Sequence, residues 1–220
     1  MIRRMLRVDP YGDFFRYRTG QRLKKLLSPR WIAHRIAASA YALRHPEAPW
    51  LVPEALEAIA KRLRHEDKVF EWGTGLSTPW LAERAGWVIA VEHNPAWAKK
   101  TGAMLEQRGL RNVEVRLVDE PRYLAQIEPV EDGSLDLVLV DGILSGRALG
   151  LSMPKLRAGG LLALNRAWSV LPSDSATPDA RTRADGPEDS VDPLAFMELQ
   201  NWALKWFSDG INDTAIFTKP

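Results

Sequence analysis

The segment "FEWGTGLSTPW", residues 70–80, decides how the rest of the chain is read. An apolar stub carries an acidic residue, Glu71; Gly73 and Gly75 bracket Thr74; Ser77, Thr78 and Pro79 follow. Proline fits the first helical position because it has no N–H to lose there and its φ is already helical, so a helix is expected to start at Thr78-Pro79. Strand, glycine turn and helix in that order put the turn at the carboxyl end of a strand. Open α/β sheets take their ligands there, and glycines let the backbone approach them closely.

Working outward, short apolar runs recur at "KVFEW" (68–72), "WVIAVE" (87–92), "VEVRLV" (113–118), "LDLVLV" (135–140) and "LLAL" (161–164). A spacing of about 20 to 25 residues leaves room for one crossover helix each, the sign of a parallel sheet. Ser28-Pro29, Asn94-Pro95 and Asp192-Pro193 repeat the helix-start pairing, and Gly159-Gly160 should turn the chain into the fifth strand. Residues 169–192, rich in Pro, Ser, Asp and Ala without apolar period, read as a long loop, either a lid or a disordered insert. "PLAFMELQNWALKW" resumes a helical pattern and "DTAIFTK" closes with a strand.

At 220 residues and 45% apolar content the chain can bury one substantial core. With no cysteine, disulfides, thiolate metal sites and thiol nucleophiles are excluded. No run approaches the roughly 18 apolar residues of a spanning helix, and the start lacks the apolar core of a signal peptide, so a cytoplasmic location is expected. The net charge of +2 hides an asymmetry. Residues 1–35 hold ten Lys or Arg against Asp9 and Asp13, a balance of +8 that leaves the remainder at −6. Such an arm, with interleaved aromatics, could meet nucleic acid or an anionic membrane. A solvated leader packing on the domain or on a second subunit, as in a homodimer, is the preferred expectation. The organisation expected is a basic, partly helical extension over 1–49 and one domain over 50–220.

Four successive strands end on carboxylates: Glu71, Glu92, Asp119 and Asp141. Each alone could be a helix cap or turn former. Together on one sheet edge they repel one another unless a ligand with hydroxyls, an amine or positive charge uses them.

On these residues the chain resembles the class I methyltransferases that use S-adenosylmethionine. "VFEWGTGLST" is similar to their first motif, "VIAVEHNP" to the second, and "LDLVLVDG" and "LRAGGLLAL" to the fourth- and fifth-strand motifs. A bacterial branch with E-x-G-x-G-x-S-T and V-E-H-N-P-like motifs, including "HPEAPWLVPEAL" (45–56), is the best match. The resemblance implies a doubly wound, mostly parallel seven-stranded α/β sheet with helices on both faces. It implies a cofactor site of Glu71, Gly73, Thr74, Gly75, Ser77, Thr78, Glu92, His93, Asp119 and Asp141. Glu71 would serve the amino group, Glu92 the ribose hydroxyls, and Asp119 the adenine amino group. Asp141 would flank the transfer position, where it or His45 could act as base toward a small-molecule acceptor.

In the metal-dependent branch of that family an Asp-Asn pair after the fifth strand joins the acid after the fourth. Here Asn165 has no Asp beside it and Arg166 follows, so no catalytic metal is expected. Two other classes stay open. A nicotinamide oxidoreductase shares the glycine turn and the acid on the next strand, but its third glycine is replaced by Thr78. A non-catalytic module could keep the fold and bind through its basic arm. Among nine tryptophans, Trp50, Trp72, Trp80 and Trp168 fall near expected loop ends, where core packing explains most such rings and an acceptor wall is the alternative.

Overall fold

A computed structural model describes residues 28–178 and 180–220. Helix α1 (Pro29–Arg44) and α2 (Pro53–Ala60) precede the sheet. Then come β1 (Lys68–Trp72), α3 (Ser77–Ala82), β2 (Trp87–Glu92), α4 (Pro95–Gln107), β3 (Val113–Leu117) and α5 (Glu120–Tyr123). A 3-10 turn leads to β4 (Leu135–Val140), α6 (Ser145–Ser152), β5 (Leu156–Asn165), α7 (Ala167–Val170), α8 (Pro193–Leu199), β6 (Ala203–Ser208) and β7 (Asp213–Thr218). The strands form one seven-stranded sheet in the order β3-β2-β1-β4-β5-β7-β6. Neighbours are parallel from β3 through β5, whereas β7 runs antiparallel to both β5 and β6.

Alternation along the strands sorts side chains into two layers. Phe70, Trp72, Val138, Val140, Leu162, Leu164 and Phe217 face one side and pack with residues of α5, α6, α7 and α8. Val69, Leu137, Leu139, Ala163 and Ile216 face the other and pack with residues of α2 and α3. By the same alternation Glu71, Glu92, Asn165 and Thr214 belong to the α2/α3 side at the carboxyl edge.

The capping pairs at Ser28-Pro29, Asn94-Pro95 and Asp192-Pro193 start helices as expected, each cap oxygen accepting from a first-turn N–H. Thr78-Pro79 does not. α3 begins at Ser77, and the Thr78 hydroxyl is turned to Glu71 instead of the helix end. Gly159-Gly160 lies inside β5, which begins at Leu156. The register against β4 shifts between Leu135 and Leu137, so the glycines kink a strand already begun. The helical pattern from Pro193 stops at Leu199, and "ALKW" belongs to β6. Its apolar residues suit a strand beside β7 as well as a helix face, and the short run carries no mark of which.

Residues 169–192 pack against the domain. Leu171, Thr177 and Val191 are buried, Thr177 Oγ1 donates to Asp213 at 2.6 Å, and backbone bonds tie Glu188 to Val170 and Arg181 to Trp168. The expectations for residues 1–27 lie outside the described residues.

Candidate functional site

The carboxyl ends of β1, β2 and β4 meet at a glycine crossing. Gly73 has φ of 91°, and a Cβ there would come within 3.0 Å of the Gly142 Cα and 3.1 Å of the Asp141 carbonyl. Gly142 is as tight, its missing Cβ position lying 2.9 Å from Gly73 N and overlapping the Tyr123 hydroxyl. Two backbones therefore touch where only glycine fits both the space and, at Gly73, the conformation.

Three of the four expected carboxylates gather here. Glu71 is fully buried; its Oε2 accepts from Thr78 Oγ1 at 2.6 Å, and its Oε1 has no hydrogen-bond partner. Burial pushes its pKa up to about 8, opposed only in part by the Ser77 and Thr78 hydroxyls and reinforced by Asp141 and Glu92. Glu92 is also buried. Its Oε2 accepts from Thr74 N and Oγ1, both at 2.9 Å, and its Oε1 from the N–H groups of His93 and Asn94, both at 2.8 Å. His93 Nδ1 lies 3.1 Å from the same oxygen. Thr78 Oγ1 also accepts from Gly75 N, so Thr78 ties the turn to Glu71 while Thr74 ties it to Glu92.

Asp141 is held from the β5 side. Asn165 Nδ2 donates to its Oδ1 at 2.8 Å, and Arg166 Nε stands 3.9 Å from the same oxygen while Arg166 Nη2 donates to Gly142 O at 3.1 Å. Asn165 in turn accepts from Asn212 Nδ2 (2.8 Å) and Thr214 Oγ1 (3.3 Å), and Asn212 also donates to Trp50 O. Among the described residues, the only non-glycine residues with positive φ are Leu144 (54°) and Arg166 (53°), each following a strand that ends at this site. Strain of about 1–2 kcal/mol at each is tolerated where the chain must turn around the site.

Asp119 is not brought in. It lies at the N-terminus of α5, its side chain 56% exposed, with Oδ1 accepting from Arg122 at 2.7 Å; that guanidinium holds its carboxyl below the usual range. His45 caps α1, exposed, its ring against Tyr41. Trp72 is fully buried and donates to Ser152 Oγ, so it is a core ring facing α6. Trp50 stands edge-on to Trp97 at 5.8 Å. Among the described residues no group of three His, Cys, Asp or Glu is placed to hold a metal ion.

The residue that sequence reading missed is Tyr123. Fully buried, it packs on Trp72 and His93, and its hydroxyl, without a hydrogen-bond partner, stands over Gly142. Burial, with Glu92, Glu71 and Asp141 around it, pushes the phenol well above its ordinary pKa. Its only signal was an aromatic four residues after Asp119. Asn212 and Thr214 were likewise silent, because polar residues at a strand start have many ordinary uses.

The sequence matches no family profile and no curated protein. Solved structures do share the fold. A protein from Corynebacterium glutamicum aligns with a TM-score of 0.56 at 13% identity, over 91% of this chain and 92% of its own. A candidate methyltransferase from Streptococcus mutans, in complex with SAH, aligns at 0.54 and 16% identity, over 76% and 96%. An rRNA methylase from Streptococcus thermophilus aligns at 0.53 and 15%, over 78% and 99%. At such identities the likeness is one of fold.

Proposed function

We propose that the protein is an S-adenosylmethionine-dependent methyltransferase acting on an oxygen or nitrogen of a small-molecule acceptor, without a catalytic metal. The observation that carries this reading is the charge of the glycine crossing. Glu71, Glu92 and Asp141 surround a backbone turn with Arg166 as the cation beside them, held on the Asp141 side. A dinucleotide pyrophosphate, itself anionic, would be repelled there, whereas a ligand bearing an ammonium and a sulfonium is attracted. This favours the methyltransferase over the nicotinamide enzyme.

The residues present fit that cofactor. The unpartnered Oε1 of Glu71 is a buried acceptor awaiting a donor, and the glycine crossing leaves room for close backbone contact. The bound cofactor supplies an electrophilic methyl group on its sulfonium. Glu71 answers the ammonium, and with a pKa near 8 in the free protein it gives up its proton on meeting that positive charge. Glu92 takes the ribose hydroxyls once Thr74 releases Oε2, since its oxygens are otherwise filled. Gly73, Thr74, Gly75, Ser77 and Thr78 line the turn, and His93 packs alongside. Asp119, if it serves the adenine amino group, does so by leaving Arg122.

Asp141, oriented by Asn165, takes the proton from the acceptor as its oxygen or nitrogen attacks; His45 is the second candidate base. The guanidinium of Arg166 beside Asp141 disfavours a divalent cation at the same place. Titration calorimetry with S-adenosylhomocysteine and with NADH tests the assignment. Binding of the former, with proton release below pH 8 seen as a dependence of the heat on buffer ionisation, is expected. Binding of NADH alone would overturn it.

A further inference from the structure

Helix α1 carries an outward face that the domain leaves bare. Its 16 residues include none that is fully buried. Trp31, His34, Arg35, Ala38, Tyr41 and Ala42 are half-buried on the inner face, where the His34 ring lies directly on Gly210 in the β6–β7 turn. On the other face Ile32, Ile36 and Leu43 are 45%, 59% and 75% exposed. At 3.6 residues per turn these three fall within about 40° of one another. Exposed Arg44 lies about a quarter-turn from that stripe on one side, with exposed Arg30 farther round, and half-buried Arg35 borders it on the other, its guanidinium 5.7 Å from the Trp31 ring. The helix has no acidic residue.

We infer that α1 is an interfacial helix that seats the protein on an anionic lipid surface, with Ile32, Ile36 and Leu43 in the acyl boundary and the flanking arginines at the headgroups. The pattern of an aliphatic stripe edged by cations is the one such helices use, the long arginine stems reaching back to phosphate level. At 16 residues it lies on the surface and does not span. Charge argues against the other occupants. A second copy would set arginine against arginine across the stripe. The preceding 27 residues carry eight Lys or Arg against Asp9 and Asp13, a charge that adds to the attraction for anionic headgroups. Nucleic acid would satisfy the arginines but offers nothing to three aliphatic side chains. This contact does not depend on methyl transfer.

The test uses the full chain and two vesicle preparations, phosphatidylcholine alone and phosphatidylcholine mixed with phosphatidylglycerol, read by co-sedimentation. Retention on the anionic vesicles only is expected. The triple variant Ile32→Ser, Ile36→Ser, Leu43→Ser should bind them at least about tenfold more weakly, and Arg30→Glu with Arg44→Glu should do the same by removing the charge. These positions are exposed, and an unchanged circular dichroism spectrum certifies each variant. Failure of the native chain to bind anionic vesicles, or equal binding by the serine variant, overturns the inference. So does a concentration-dependent dimer, or retention of an RNA oligonucleotide, that the serine substitutions abolish, since either assigns the stripe to another occupant.

Discussion

The two edges of the sheet treat their carboxylates in opposite ways. At the amino edge Asp136 accepts from Lys68 N at 2.7 Å and pairs with Arg157 Nε at 2.5 Å, and Asp67 closes the turn into β1 by accepting from Arg64 N at 2.8 Å. These are finished structural assignments, a charge met by a charge or a turn amide. At the carboxyl edge Glu71 and Glu92 are buried deeper and meet hydroxyls and amides, together with His93, and one oxygen of Glu71 meets nothing. A carboxylate buried short of cations costs stability when ionised, which is why Glu71 keeps its proton up to about pH 8. The difference locates the part of the sheet arranged for something other than holding itself together.

The largest expected effect that would sharpen this contrast is at the glycine crossing. Gly73→Ala adds a Cβ against the Asp141–Gly142 backbone at a φ of 91° and should cost about 3 kcal/mol in denaturant unfolding, with loss of S-adenosylhomocysteine binding. Next comes the pH dependence of Glu71. Its folded pKa is raised from an ordinary 4.5 to about 8, so the native state binds more protons than the unfolded chain between those values. Stability is therefore fullest below about pH 4.5 as far as this group is concerned, and falls as pH rises through 8. Glu71→Gln, which cannot titrate, should remove that fall altogether, so that urea unfolding of the variant no longer weakens between pH 4.5 and 8 on account of this group. Asp136→Asn, at the other edge, should instead destabilise by about 1 kcal/mol throughout the neutral range. If both variants behaved as Asp136→Asn does, the two edges would not differ in kind.

A smaller effect of reversed sign is expected at Tyr123. Removing a buried hydroxyl that has no partner relieves a desolvation cost, so Tyr123→Phe should stabilise the free protein by about 1 kcal/mol in thermal or urea unfolding. The smallest effect is at Asp119, whose exposed pairing with Arg122 should leave the unfolding midpoint of Asp119→Asn indistinguishable from that of the native chain.

Much of this could be read along the chain because it rests on local chemistry. Five apolar runs announced the five parallel strands, and three Ser, Asn or Asp caps before proline announced their helices. Glu71, Glu92 and Asp141 were legible because strand ends on one side of a parallel sheet must converge. Asp119 carried the same signal yet sits apart: two residues beyond its strand, the chain had already turned into α5. β6 was hidden because strand and helix share a short apolar run. Tyr123, Asn212 and Thr214 were hidden for another reason. Their importance comes from contacts across 19 to 51 residues of sequence, to Gly142, Asn165 and Trp72, which no local pattern encodes.

The place of β7 bears on how the protein is made. β7, last of the seven described strands in chain order, is inserted between β5 and β6, and Asn212 and Thr214 at its start complete the polar chain behind Asp141. A nascent chain that has emerged only as far as β6 has the edge of β5 open and the support of Asp141 unfinished. Without β7 that edge would be free to pair with another molecule. The antiparallel end of the sheet and the polar support of Asp141 are thus completed together, by one strand laid between two others.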